Sequence, residues 1–314
     1  FVWSVNRTGN VVDTRNIIYA QAAVMDALAM YGSAFNNSVA IQQALNLFRS
    51  IDLRAHDATN GGYSENNDGG LLTNGAKRSL KTHRRLLQSL LNVYAVTFNI
   101  DVKARIAELA QVVSHVLESS KPSAYASEQY DDRWVAVPES SATEQVSVGA
   151  ELQTVQLLLQ ASSSGALSAT LRANITAQAV ALGRSIFKSG YDRVHGGFHK
   201  SINLDGTVSA SSKLSWVQAE AIHALWLMFG ATNDEQYGHL MNETLTWIET
   251  HQVDHVYPQS EWFAKVSTDG VTIIDDRKGT NAKSLYDIVH ALVPVANDVR
   301  QKFVMGQVSG TKDL

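Results

Sequence analysis

Three ionisable side chains in this 314-residue sequence sit where their neighbours ask for a reason: His83, Glu220 and Asp287. Glu220 lies inside SWVQAEAIHAL (215–225), an otherwise apolar run, so its carboxylate must be paired or must face a pocket. Asp287 interrupts SLYDIVHAL (284–292) in the same way, and either makes a helix-packing hydrogen bond or lines a pocket; His290, three residues on, could pair with it. His83 stands among Lys81, Arg84 and Arg85, which fits either a solvated helix face or a pocket histidine that holds a substrate. Trp216 and Trp262 are either core aromatics or platforms on which a ligand could stack. Other constellations carry less. Asp131 and Asp132 are adjacent, whereas glycoside hydrolysis needs two carboxyls flanking one bond. His195 and His199 flank a turn and lack a third ligand nearby, so no metal is expected. The chain has no cysteine, which excludes disulfides, thiolate catalysis and cysteine-ligated zinc. No glycine-rich phosphate loop precedes a helix, and no cofactor is expected.

The elements that must position these residues come from a repeated phrase. An aromatic, Gly-flanked stretch followed by an apolar run occurs five times, beginning at residues 1, 61, 133, 196 and 261. The runs at 16–31, 78–94, 147–162, 215–229 and 282–296 read as inner helices. Segments 39–55, 102–120, 168–190 and 234–251 have one charged face and read as outer helices. Gly61-Gly62, Gly196-Gly197 and Asp269-Gly270 are turn signals, so the small β content is confined to the loops. Hairpin, inner helix and outer helix in succession predict an all-α, (α/α)-barrel fold in a single domain over 1–314. Four prolines suit long helices. A net charge of −4 without long charged runs argues against nucleic acid as a partner. No apolar stretch approaches the roughly 18–20 residues of a membrane span. The sequons at Asn6, Asn36, Asn174 and Asn242 favour a glycosylated, secreted or extracellular protein, with the cytoplasm as the alternative.

RSLKTHRRLLQSLLNVY (78–94), SWVQAEAIHAL (215–225), EWFAKVSTDG (261–270) and YDDRWVAV followed by SVGAELQTVQLLLQA (130–161) resemble, in order and spacing, the N-acylglucosamine 2-epimerase / cellobiose 2-epimerase family. The resemblance implies an (α/α)6 barrel of which this chain carries about five of six helix pairs. It implies proton abstraction at C2 of an opened aldose by one histidine and return of the proton by another, which requires two bases titrating near the working pH. His83, Trp216, Glu220 and Tyr286 fall on matching family positions. The family's next histidine falls on Ala150, its following Glu on Gln153, and its last histidine on Asp287. An alanine cannot move a proton, and an ordinary aspartate is a weak base for a carbon acid. The helix at 16–31 resembles the family's second inner helix, so the first repeat, with the Arg that holds the sugar, is expected outside this sequence.

Three functions are consistent with that pattern. The leading one is a saccharide-binding protein with an altered acid/base site built from His83, Trp216, Glu220, Trp262, Tyr286 and Asp287. The second is an active C2 isomerase or epimerase with His83 as base and Asp287 or Glu220 as acid. The third is a structural glycoprotein subunit whose exposed apolar helix faces are covered by self-association or by an upstream segment.

Overall fold

The computed structural model describes residues 1–65, 76–121, 123–137, 145–256, 261–279, 283 and 285–304. Among these residues the chain forms helix hairpins. The inner helices are α1 (Ile18–Ala34), α3 (Leu80–Thr97), α5 (Val148–Ser163), α7 (Ser215–Thr232) and α9 (Leu285–Val304). The outer helices are α2 (Ser38–Ala55), α4 (Ile100–Ser119), α6 (Ala169–Gly190) and α8 (Glu235–Trp247), the last extended by a π-helical turn over Ile248–Gln252. The expected segments and the observed helices agree to within a few residues, except that α9 runs on past its internal Pro294.

Local chemistry explains the boundaries. The N-cap side chains of Asn37, Asn99 and Asp234 accept backbone N–H bonds at the starts of α2, α4 and α8, and Ser79 does the same for α3. α3 and α7 both end on a left-handed residue, Phe98 (φ 50°) and Asn233 (φ 54°). Each is followed at once by the cap of the next helix, so inner helix, one-residue reversal and outer helix form one unit.

Short antiparallel strands lead into the inner helices. β3 (Arg78–Ser79) pairs with β4 (Gln129–Tyr130) and runs directly into α3. β5 (Gln145–Ser147) pairs with β6 (Ser201–Asn203), which pairs with β7 (Val208–Ala210), and β5 continues as α5. β8 (Lys213–Leu214) pairs with β9 (Lys265–Val266), which pairs with β10 (Ile273–Asp275), and β8 continues as α7. A first hairpin joins β1 (Ser4–Val5) and β2 (Val11–Asp13). Each strand holds the first turn of its helix in a fixed direction; that turn carries His83 on α3 and Trp216 on α7.

Two compact units are present, residues 1–144 with 157–179, and residues 145–156 with 180–314. In the first, α1 packs on α2 and α3, and α3 on α4. Its buried residues include Met25, Leu86, Leu90, Ile106 and Leu109. In the second, α7 packs on α8 and α9. Ile222, Trp247, Val266 and Val295 form its core cluster. All four sequon asparagines are exposed: Asn6 in the β1–β2 turn, Asn36 after α1, Asn174 on α6 and Asn242 on α8. No helix among the described residues is long and apolar enough to cross a membrane.

Candidate functional site

His83 lies at the first turn of α3 and is fully buried. Its Nε2 accepts the Tyr63 backbone N–H at 2.9 Å, and its Nδ1 donates to the Ser79 carbonyl at 2.7 Å. Both ring nitrogens are therefore engaged by backbone, which also fixes the tautomer. Burial pushes its pKa down to about 4, helped by the nearby Arg78 and Arg84 guanidinium groups and opposed by the Ser79 carbonyl. Neither of the two sequence expectations, a solvated face or a pocket histidine, describes this placement.

The surroundings of His83 form a clamp. Arg78, fully buried, bonds the Asp57 carboxylate and the Gly61 carbonyl. The Trp134 ring lies 4.9 Å from its guanidinium carbon, and the Trp134 indole N–H donates to the Gly61 carbonyl at 3.2 Å. Asn60, together with the Thr59 and Asn60 backbone and Arg78, holds the Asp57 carboxyl far below its ordinary range. Gly61 and Gly62 have φ of +72° and +74°. A Cβ on Gly62 would stand 2.6 Å from Trp134 and 2.9 Å from His83 Nε2, so this turn admits only glycine there.

The second unit repeats six positions of the clamp at a spacing of 135, as Asp192, Gly196, Gly197, Phe198, Lys213 and Gln218, while its overlying indole, Trp247, comes from outside that spacing. Lys213 Nζ bonds Asp192 at 3.0 Å and the Gly196 carbonyl, under the Trp247 ring at 4.8 Å. Gln218 Oε1 accepts the Phe198 N–H at 2.8 Å, as His83 accepts that of Tyr63, and its amide donates to the Phe198 carbonyl at 2.8 Å. Burial opposes ionisation of Asp192, but the His195 amide and Lys213 hold it at about 2. His83 thus occupies a scaffold position that a glutamine fills elsewhere in the same chain. Sequence reading missed this clamp, although the 135-residue offset between the two GG turns was there to find it.

The other expected residues lie in the second unit. Glu220 is 4 % exposed on α7. Its Oε1 accepts from Gln153 Nε2 at 2.7 Å and its Oε2 from Gln156 Nε2 at 2.7 Å, and Gln156 also reaches the Glu220 backbone carbonyl at 2.8 Å. The carboxylate therefore ties α7 to the first half of α5, the paired one of its two expected placements. Trp216, one turn earlier, packs against Gly149, where a Cβ would overlap the indole. Ala150, the next residue, is 8 % exposed. Trp262 is half-buried and packs on Ala219, Ile288 and Ala291, at the seam of α7 and α9. Tyr286 stacks on His290 with ring centroids 5.2 Å apart. His223, a turn beyond Glu220, is buried and its pKa falls to about 3, through burial first and the charge of His290 second. Trp216, Gln153, Trp262, Tyr286 and Asp287 are each half-buried.

The alternative acids do not share this geometry. Asp131 Oδ1 accepts the backbone N–H groups of Arg133 and Val135, closing its own turn. His199 Nδ1 meets the Ser211 carbonyl at 3.3 Å, and no group of three or more metal-binding side chains occurs among the described residues.

A model of the N-acylglucosamine 2-epimerase (GlcNAc 2-epimerase) family matches residues 1–291. The chain belongs to this family. It is 32% identical over 111 residues to a D-mannose isomerase of Marinomonas mediterranea, a match over 35% of this chain and 27% of that protein. It is 24% identical over 291 residues to the cellobiose 2-epimerase of Bacteroides fragilis, covering 88% of this chain and 70% of that one. The chain thus spans about a quarter of the first relative's length and about two thirds of the second's. Its fold is that of a D-mannose isomerase crystal structure, with a TM-score of 0.79 at 20% identity over 92% of this chain and 74% of the other. It is equally that of the cellobiose 2-epimerase of Bacillus thermoamylovorans, with a TM-score of 0.79 at 20% identity over 95% and 76%. The fold class is all-α, of the (α/α)6-barrel type, and the family is one of sugar epimerases and isomerases.

Proposed function

We propose that this protein binds a saccharide at the α5–α7–α9 cluster of its second unit and that its proton-transfer machinery is altered. The observation that carries the reading is the pairing of Glu220 with Gln153 and Gln156 beside Ala150. The resemblance puts a histidine at Ala150 and a carboxylate at Gln153. The residues that stand there neither take up nor release a proton. What remains is a set suited to holding hydroxyl groups. Trp216, Trp262 and Tyr286 offer aromatic faces, Asp287 offers an acceptor, and Gln153 offers an amide oriented by Glu220. Glu220 acts as a positioning residue in this arrangement, and His83 as part of the scaffold of the other unit.

Calorimetric titration with mannose, glucose, N-acetylmannosamine and cellobiose tests the binding. Glu220→Ala, which releases both glutamine amides, is expected to weaken the best of these sugars by about tenfold or more, the scale of one lost hydrogen-bond network. Saturable binding that Glu220→Ala leaves unchanged would move the site elsewhere. Incorporation of solvent deuterium at C2 separates this from the second reading, an active epimerase, which the closeness of His223 and His290 favours. Exchange at background supports an altered site, and exchange above background replaces it with the active enzyme.

Secretion and glycosylation belong to the same proposal. Asn6 is the best-placed acceptor, because its Oδ1 already accepts from the Thr8 hydroxyl at 2.8 Å in an exposed turn. Thr244 of the Asn242 sequon is buried, with its hydroxyl bonded to the Leu240 carbonyl. Intact mass of the natural protein, with a hexosamine increment on the Asn6 peptide and none on the Asn242 peptide, is the expected result.

A further inference from the structure

The second unit has a further concavity that none of the residues above line. A cleft of about 520 Å³ opens between the C-terminal half of α6 and the face of α8. Its volume lies within the roughly 300–1,000 Å³ of small-molecule sites. The floor is apolar: Phe187 and Tyr237 are buried, and their rings pack with centroids 5.6 Å apart. The rim is cationic. Arg184 and Lys188 stand one turn apart on the same face of α6, Arg193 follows in the next turn, and His239 faces them from α8 beside Gln236.

The positive charge at this cleft is only partly compensated. The single carboxylate that lines it is Glu243, whose Oε2 accepts the Tyr191 hydroxyl at 2.9 Å. Burial, then Glu243, raises the Tyr191 hydroxyl above its ordinary range, and Arg193 pulls the other way, which places that guanidinium beside the same group. The ion pairs of this unit join other residues, among them Asp192 with Lys213 and His195, and Asp254 with Lys278. Among the described residues, Arg184, Lys188 and Arg193 have no carboxylate partner. On a chain whose net charge is −4, three unpaired cations converging on one concave surface are not explained as a balanced, solvated face.

We propose that this cleft binds a small molecule carrying an oxyanion, either a phosphate monoester or a carboxylate. Arg184 and Arg193 supply planar forks that match either group, Lys188 adds a point charge, and Gln236 and His239 stand where hydroxyl groups of the same molecule would be met. The cleft shares no side chain with the Glu220 cluster, so the proposal does not depend on that reading.

The test is calorimetric titration of the full chain, at low ionic strength, with inorganic phosphate, glucose 6-phosphate and galacturonate. The comparison protein is the triple substitution Arg184→Ala, Lys188→Ala, Arg193→Ala, all exposed positions, with its fold checked by circular dichroism. Saturable binding of at least one anion is expected, weakened about tenfold or more by the triple substitution and by added salt. Tighter binding of phosphate and glucose 6-phosphate identifies the phosphate group, and tighter binding of galacturonate identifies the carboxylate. Absence of saturable binding for all three, or equal affinity in the folded triple variant, overturns the proposal. Loss of neutral-sugar binding in Glu220→Ala with anion binding intact would show that this site stands apart from the proposed sugar site.

Discussion

His83 and Gln218 make one hydrogen bond with two chemistries. Each accepts the backbone N–H of the aromatic residue that follows the GG turn, Tyr63 in one case and Phe198 in the other. Each also donates to the carbonyl four residues earlier on its own chain, at 2.7 Å from His83 to Ser79 and 3.4 Å from Gln218 to Leu214. Imidazole does this only while neutral; an amide does it at any pH. His83→Gln is therefore expected to fold, with a melting temperature near that of the parent at neutral pH. His83→Ala leaves the Tyr63 N–H unsatisfied and opens a cavity in a fully buried place, so it should cost about 2–4 kcal/mol. Denaturant titration of both variants at pH 7.5 measures the difference. Equal loss in the two would mean that the glutamine cannot take over the bond.

At the scale of elements, the strands that enter α3 and α7 carry the cation of the clamp, Arg78 on β3 and Lys213 on β8. The Asp of the preceding turn, the paired glycines and an overlying indole complete it. Lys213 is fully buried, so Lys213→Met strands the Asp192 carboxylate without its counter-ion; breaking such a pair costs about 3–5 kcal/mol. Thermal unfolding should report it, and a variant as stable as the parent would show that the clamp contributes little. Gly149→Ala tests the proposed site in the same way. The added methyl would overlap Trp216, so the indole must move and sugar affinity should fall, while a free Gly-to-Ala change in a helix would stabilise by up to about 1 kcal/mol. The helices were legible in the sequence because apolar periodicity acts locally. That Glu220 must be paired or face a pocket was legible too, since burial of a carboxylate leaves few options. Its partners, Gln153 and Gln156, were not, because they sit on another helix and glutamines carry no sequence signal. The role of His83 was hidden for a related reason: Arg78 with Lys213, and His83 with Gln218, are equivalent by geometry and not by residue type.

For the whole molecule, these groups set the dependence of stability on pH. His83 titrates at about 4 and His223 at about 3 in the folded chain, against about 6.5 when unfolded. Both folded values are depressed. Below pH 6.5 the unfolded chain takes up protons that the folded chain refuses, so stability falls as the pH drops, and the loss ends only near the folded values. For His83 alone the full loss is about 3 kcal/mol, and His223 adds one of the same order. Against the roughly 5–15 kcal/mol that holds a domain together, that is enough to bring the protein close to unfolding near pH 4. The carboxylates act later. Asp192, held at about 2, starts to cost stability only as the pH falls below its unfolded value of 3.8. Denaturant midpoints measured from pH 8 to 3.5 should therefore be flat above pH 7, fall from about pH 6.5 downwards, and steepen below pH 4. His83→Gln should flatten the fall between pH 6.5 and 4 and leave the rest, which belongs to His223 and to His199, whose pKa burial also lowers. A profile identical to that of the parent would mean that the His83 ring is protonated as readily in the folded chain as in the unfolded one. The two backbone bonds that hold it could not then be as described.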